Sequence, residues 1–435
     1  MLRKRLQLGL IHVAVAMTLV PINSTLNRVM IKELAISATL VALLASLPYL
    51  FSPIQVAIGS FSDRHPLWGY RRTPYIVLGL FLCVLGVIIS PQAAFLLAKA
   101  PLAGAVLGAL AFGAWGMGFN FATVSYLSLA SELSGEKGRG RTIAVMWFMM
   151  ITSIIATAIL LSQMVDPFTP EALRRAFWVV GGLALFLGLI GLVKLEERLN
   201  AGSRASESYS WRILGGAILA SRQATLFFVY LVILLAALLG QDVLLEPFGG
   251  EAFGLTVKQT TRITSIWGVC VLAALLIAGA LEGRSSKRSL AKIGGWGALS
   301  GFALIAVSGL LQNSGIFYTG VVLLGIGTGL STVANLSLML DMTTADKVGL
   351  FIGAWGMANA ISRLIGSVLG GMVRDLVTRM LGNAIIGYVL VFGIMAVLMF
   401  ASLLVLRRID TQIFRQEVRE EPSLIERVAV ASEAS

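Results

Sequence analysis

The sequence predicts an all-α polytopic membrane protein of twelve transmembrane helices, arranged as two pseudo-symmetric six-helix bundles. Three observations carry that prediction. Hydrophobic residues fill 57% of the 435 positions and charged residues only 13%, too little polar surface for a soluble chain of this size. Apolar stretches of about 20 residues recur along the whole chain, each long enough to cross a bilayer as a helix. The second half also repeats features of the first, as in many transporter folds.

The predicted spans are 6–27, 36–60, 75–97, 102–130, 142–165 and 176–195 in the first half. In the second they are 224–246, 262–282, 292–311, 316–340, 348–373 and 384–406. The first follows Arg3-Lys4-Arg5 and resembles a signal peptide, down to Ala14-Val15-Ala16. Its apolar run continues to Val20 and more spans follow, which predicts an uncleaved helix. Most of the others end at charged residues: Arg72 and Lys99 flank the third, Arg141 and Asp166 the fifth, Lys347 and Arg374 the eleventh. The polar segment 196–223 divides six spans from six. The expected domains are therefore 1–195, a cytoplasmic linker 196–223, 224–406, and a cytoplasmic tail 407–435.

Net charge is +12, but the basic residues sit at span ends rather than in one patch, which speaks for membrane orientation and against nucleic acid. With both termini cytoplasmic, 24 of the 34 Lys and Arg face the cytoplasm and 9 the other side, with Arg363 inside a span. That asymmetry sets the expected orientation. Cys83 and Cys270 both fall in apolar runs, so no disulfide framework is expected.

The repeat is visible as "TVSYLSLASELSGEKGRG" from Thr123 against "TVANLSLMLDMTTADKVG" from Thr332, an offset of 209 that sets Glu132 opposite Asp341. The first spans of the halves align at 218, with Gln241 against Asn23 and Glu246 opposite Arg28. "GAWGM" at Gly113 and Gly353 fits neither offset and reads as small residues for close helix packing.

Between spans 2 and 3 lies "GSFSDRHPLWGYRRTPY". Gly59, Asp63, Arg64, Gly69, Arg71 and Arg72 resemble the signature loop of the major facilitator superfamily, with three residues inserted before the second glycine. Asp63 is expected to accept hydrogen bonds from an arginine and a helix N-terminus. The second half keeps only "GALEGRSSKR", where a charge clamp would have to use Glu282. Three stretches narrow the resemblance: Ser24–Leu34, Ser62–Tyr75 and "QDVLLEPFGGEAFGL" from Gln241. They are similar to the PucC family, the bacteriochlorophyll delivery branch of that superfamily. The resemblance implies a major facilitator fold, a phototrophic bacterial membrane, and antenna or photosystem subunits as partners. It also implies chlorophyll or bacteriochlorophyll as cargo or cofactor.

Candidate site residues follow from charge inside apolar runs. Asp242 and Glu246 lie one helical turn apart at the end of span 7, ahead of Pro247 and Gly249-Gly250, which are expected to end the helix and turn the chain. A carboxylate facing lipid costs about 2.5–3.5 kcal/mol, so both should point into a central cavity, toward Arg28 or Arg363. Three roles are open: an Arg28–Glu246 latch, a polar site for a ligand or antenna polypeptide, and a proton-coupling role for Asp242. His12 is a candidate ligand for a pigment magnesium; the alternative is a histidine bonded to a neighbouring helix. His65 is expected in solvent. No catalytic constellation, metal cluster or nucleotide motif is apparent. The competing functions are an assembly factor and a secondary transporter working by alternating access. The apolar depth of the spans favours the first.

Overall fold

The computed structural model describes residues 1–198, 222–281, 285–341 and 348–409. Most of the expected linker, most of the tail, and Glu282 lie outside the described residues, as do the side chains of Asp63 and Asp341. Among the described residues, ten helices are long and apolar enough to cross a membrane. In the first half these are α1 (Leu2–Val20, continued to Glu33), α5 (Thr73–Lys99), α6 (Pro101–Gly135), α7 (Gly140–Met164) and α8 (Pro170–Leu192). In the second they are α9 (Arg222–Gly240), α11 (Val257–Ala280), α12 (Lys287–Leu311), α13 (Ser314–Asp341) and α15 (Ala384–Leu406).

The two remaining predicted spans look different. The segment 36–60 is not one helix but α2 (Ala38–Ala45), α3 (Leu47–Leu50) and α4 (Ile54–Arg64). Pro48 sits in the first turn of α3 and Pro53 at the N-cap of α4, where a missing N–H costs little. The segment 348–373 lies in α14 (Val348–Leu381).

Two spans break near their ends. After α1 the chain widens into π-helical turns at Pro21–Leu26 and Val29–Glu33. After α9 it tightens into a 3₁₀ turn at Gln241–Val243, and α10 (Leu245–Phe253) follows. Pro247 and Gly249-Gly250 therefore do not end a helix, as the sequence suggested. Pro247 occupies the first turn of α10, and Gly254 ends it at φ 66°. Asp242 and Glu246 consequently sit on different helical segments.

The helices form two bundles. α5 approaches α6 closely, as α12 does α13, and the two pairs pack alike. A methyl on Gly118 would stand 2.5 Å from both the Cys83 nitrogen and the Gly79 oxygen. One on Gly327 would stand 2.3 Å from the Ala298 nitrogen and 2.7 Å from the Gly294 oxygen. Gly118 and Gly327 are related by the 209 offset, so the duplication extends to backbone contacts. Two contacts mark the seam between bundles: Gly371 of α14 lies against the Ala38–Thr39 backbone, and Gly268 of α11 against Ile155 of α7. In the first "GAWGM", Gly116 packs on Pro48, but Gly113 faces open space, as does Gly356 in the second. The small-residue explanation holds at Gly116 and not at the other two.

Candidate functional site at the seam of the bundles

At the centre of the seam, Asp242 Oδ2 lies 2.8 Å from Arg363 Nη1. Arg363 also donates to Tyr49 Oη at 2.9 Å, and its guanidinium stands 4.9 Å from the centre of the Tyr49 ring. The 3₁₀ turn positions Asp242, α14 supplies Arg363, and the break between α2 and α4 supplies Tyr49. The two charged side chains keep 21% and 22% of their surface accessible. The site is thus an accessible ion pair with one aromatic wall, inside a largely apolar molecule. Arg363 is the partner of Asp242; Arg28, which the half-repeat suggested, is not.

The expected Arg28–Glu246 latch is absent among the described residues. Arg28, 1% exposed, donates to Glu33 and, at 3.0 Å, to the Leu255 carbonyl. Glu246, 3% exposed, accepts from Thr264 Oγ1. The break between Asp242 and Glu246 explains the difference: α10 carries Glu246 against α11. Lys32 donates to the Gly250 carbonyl, a contact between positions equivalent under the 218 offset. The pseudo-two-fold axis therefore passes close to this pair.

Sequence reasoning missed two carboxylates at this end of the molecule, opposite the N-terminus. Asp375 of α14 accepts from Ser37 Oγ (2.7 Å), the amides of Ala38 (3.2 Å) and Thr39 (2.8 Å), and Thr39 Oγ1 (2.7 Å), all at the start of α2. A carboxylate at a helix N-terminus meets unpaired N–H groups and the positive end of the dipole. Asp166 accepts from Lys258 Nζ at 2.7 Å, at the start of α11. Asp166 and Asp375 are 209 residues apart, so each half presses the same carboxylate onto the opposite bundle. Arg374 extends the second clamp to Glu251 at 2.7 Å, with Tyr388 Oη donating to the same carboxylate at 3.1 Å. The offset was a usable signal for this pair.

At the N-terminal end the signature loop folds against the first bundle. Gly69 adopts φ +80°, left-handed backbone suited to glycine, beside Trp68 at φ 54°. Buried Arg72 donates to Glu132 Oε1 (3.1 and 3.0 Å) and to Ser62 Oγ (2.7 Å). The Glu196 carboxylate accepts from the amides of Arg71 (2.9 Å), Arg72 (3.0 Å) and Thr73 (2.7 Å) at the start of α5. Glu132 and Glu196 make contacts of the kind expected of Asp63, whose own side chain lies outside the described residues. Arg64 is exposed, and Gly59 makes only an ordinary contact with Val124.

His12 is buried, with its ring 5.1 Å from that of Tyr126 and with Nδ1 enclosed and unpartnered. Nδ1 therefore presents no exposed surface to a pigment magnesium. His12 and Tyr126 correspond, under the two offsets, to Tyr230 and Asn335, which bond at 2.7 Å. His12 therefore occupies a repeated packing position. His65 is exposed, as expected, and stacks on Phe61.

Comparison with known proteins is consistent with this architecture. The family described as "PUCC protein" matches residues 25–414. The chain belongs to that family. Protein PucC of Rhodobacter capsulatus is 31% identical over 419 residues, covering 92% of this chain and 91% of that protein. A second R. capsulatus relative of the PUCC-type chain, named Bacteriochlorophyll synthase 44.5 kDa chain, is 29% identical across 91% of this chain and 92% of its own. Among solved structures, a variant of the nucleoside transporter NupG superposes with TM-score 0.71 at 15% identity, over 93% of this chain and 99% of that one. An inward-facing bacterial homologue of the lysosomal transporter Spinster gives 0.71 at 11%, over 97% and 98%. The PUCC chain thus has the major facilitator fold.

Proposed function

We propose that the protein is a membrane assembly factor for light-harvesting or photosystem complexes, binding or delivering (bacterio)chlorophyll or antenna polypeptides. Family membership across residues 25–414 is the observation that carries this reading. The name of the bacteriochlorophyll-related relative points the same way. The role is that of a carrier or scaffold rather than a catalyst. The accessible Asp242–Arg363 pair beside Tyr49 supplies a polar handle and an aromatic face in apolar surroundings, which suits an amphipathic guest. The Lys and Arg distribution supports cytoplasmic termini, which would put the Asp166 and Asp375 clamps on the opposite side.

Purification from the native membrane, followed by an absorption spectrum and identification of co-purifying polypeptides, tests the proposal. Bound pigment or antenna subunits, with reduced antenna absorbance in a deletion strain, are expected. Colourless, partner-free protein and normal antenna in the deletion strain refute it. One observation favours a second reading, a small-solute transporter working by alternating access. The clamps at Asp166 and Asp375 join the bundles at one end, whereas the Lys4–Glu197, Arg72–Glu132 and Arg288–Leu406 bonds at the other each stay within one bundle. Uptake of a labelled solute by proteoliposomes would support that reading instead.

A further inference from the structure

We propose that the buried oxygens around Glu246 form a binding site for one sodium ion, set between the two helix breaks. The case rests on a surplus of acceptors. Glu246 Oε1 accepts from Thr264, but Oε2 has no partner. Ser24 Oγ, Asn27 Oδ1 and Gln241 Oε1, from residues at least nine-tenths buried, also lack partners. The amides cannot be turned to remedy this. Asn27 Nδ2 already donates to the Asn23 carbonyl at 3.1 Å, and Gln241 Nε2 to Asp242 Oδ1 at 2.8 Å, so rotation would forfeit both bonds. Three of the four orphaned oxygens are pure acceptors, and the Ser24 hydroxyl, beside Glu246, can donate to only one of them. Buried acceptors without donors are costly and call for a positive group.

Arg28 is close enough to attract Glu246, but none of the neighbouring cationic side chains donates to these four oxygens. Arg28 is held by Glu33 and the Leu255 carbonyl, with its unpartnered Nε lying against Gly250. Lys32 donates to the Gly250 carbonyl, and Arg363 to Asp242 and Tyr49. One carboxylate among neutral oxygens balances a single positive charge, and an all-oxygen set suits a hard cation. The π turn at Pro21–Leu26 and the 3₁₀ turn at Gln241–Val243 touch one another. Breaks of this kind in membrane helices are where backbone and side-chain oxygens hold coupling ions. The site adjoins the Asp242–Arg363 pair through Gln241, whose Nε2 donates to Asp242 Oδ1, but it uses different oxygens and does not depend on which guest that pair receives.

The test uses the full chain in lipid nanodiscs, following its unfolding temperature as sodium chloride replaces choline chloride at fixed ionic strength. A saturable rise with sodium is expected in the wild type. It should vanish in Glu246→Gln, become shallower in Ser24→Ala, and stay unchanged in Glu171→Gln, an exposed carboxylate elsewhere. No sodium dependence in the wild type, or an undiminished response in Glu246→Gln, overturns the proposal. A wild type that responds to pH but not to sodium also overturns it, since Glu246 would then take a proton. If Glu246→Gln fails to fold, radiolabelled sodium binding to Ser24→Ala decides: weaker binding than wild type supports the site, equal binding refutes it.

Discussion

Arg363 and Asp242 form a pair in which each neutralises the other. Removing one partner leaves an uncompensated charge, which costs more than removing both. Asp242→Asn is therefore predicted to destabilise the folded protein by about 1–3 kcal/mol, the pair being partly accessible, and Asp242→Asn with Arg363→Gln by less than either single change. Reversible unfolding by detergent titration measures both, and a double variant weaker than each single one contradicts the pairing. The sequence revealed that span 7 carried sheltered carboxylates, because a charge in an apolar run is conspicuous by its cost. It did not reveal their partners. Pairing depends on where α9 breaks, and Gln241–Val243 has no proline or unusual glycine of its own to announce a 3₁₀ turn. Thr264 and Tyr49 were equally silent, being ordinary residues until the fold brings them to a charge.

At the scale of helices, apolar length located the spans well and their interruptions poorly. The run 36–60 is apolar enough to read as one helix, yet Pro48 and Pro53 divide it; both were legible as breakers. The π turns beyond Val20 were not legible, since their hydrogen-bond register leaves no compositional trace. Helix packing yields a sharper prediction. Gly118→Ala and Gly327→Ala each place a methyl within 2.5 Å of a facing backbone nitrogen. Each should cost about 1–3 kcal/mol, whereas Gly113→Ala, facing open space, should stay within about 0.5 kcal/mol. Detergent-unfolding midpoints of the three variants compare them directly, and an equal loss in all three would contradict the mirrored packing.

For the molecule as a whole, Asp166 and Asp375 are predicted to hold the bundles together at the end opposite the N-terminus. Spin labels on exposed Glu171 of α8 and Met380 of α14 report the opening of that end. The double change Asp166→Ala and Asp375→Ala should shift their distance distribution to longer values, and an unchanged distribution would show that the clamps do not set the closure. The contact of Lys32 with Gly250 also bears on how the two halves meet. A methyl at Gly250 would come within 2.9 Å of Lys32 Cδ and 3.2 Å of Arg28 Nε. Gly250 thus leaves free the space that its repeat-equivalent, Lys32, fills, so the two halves divide one small volume unequally where they meet.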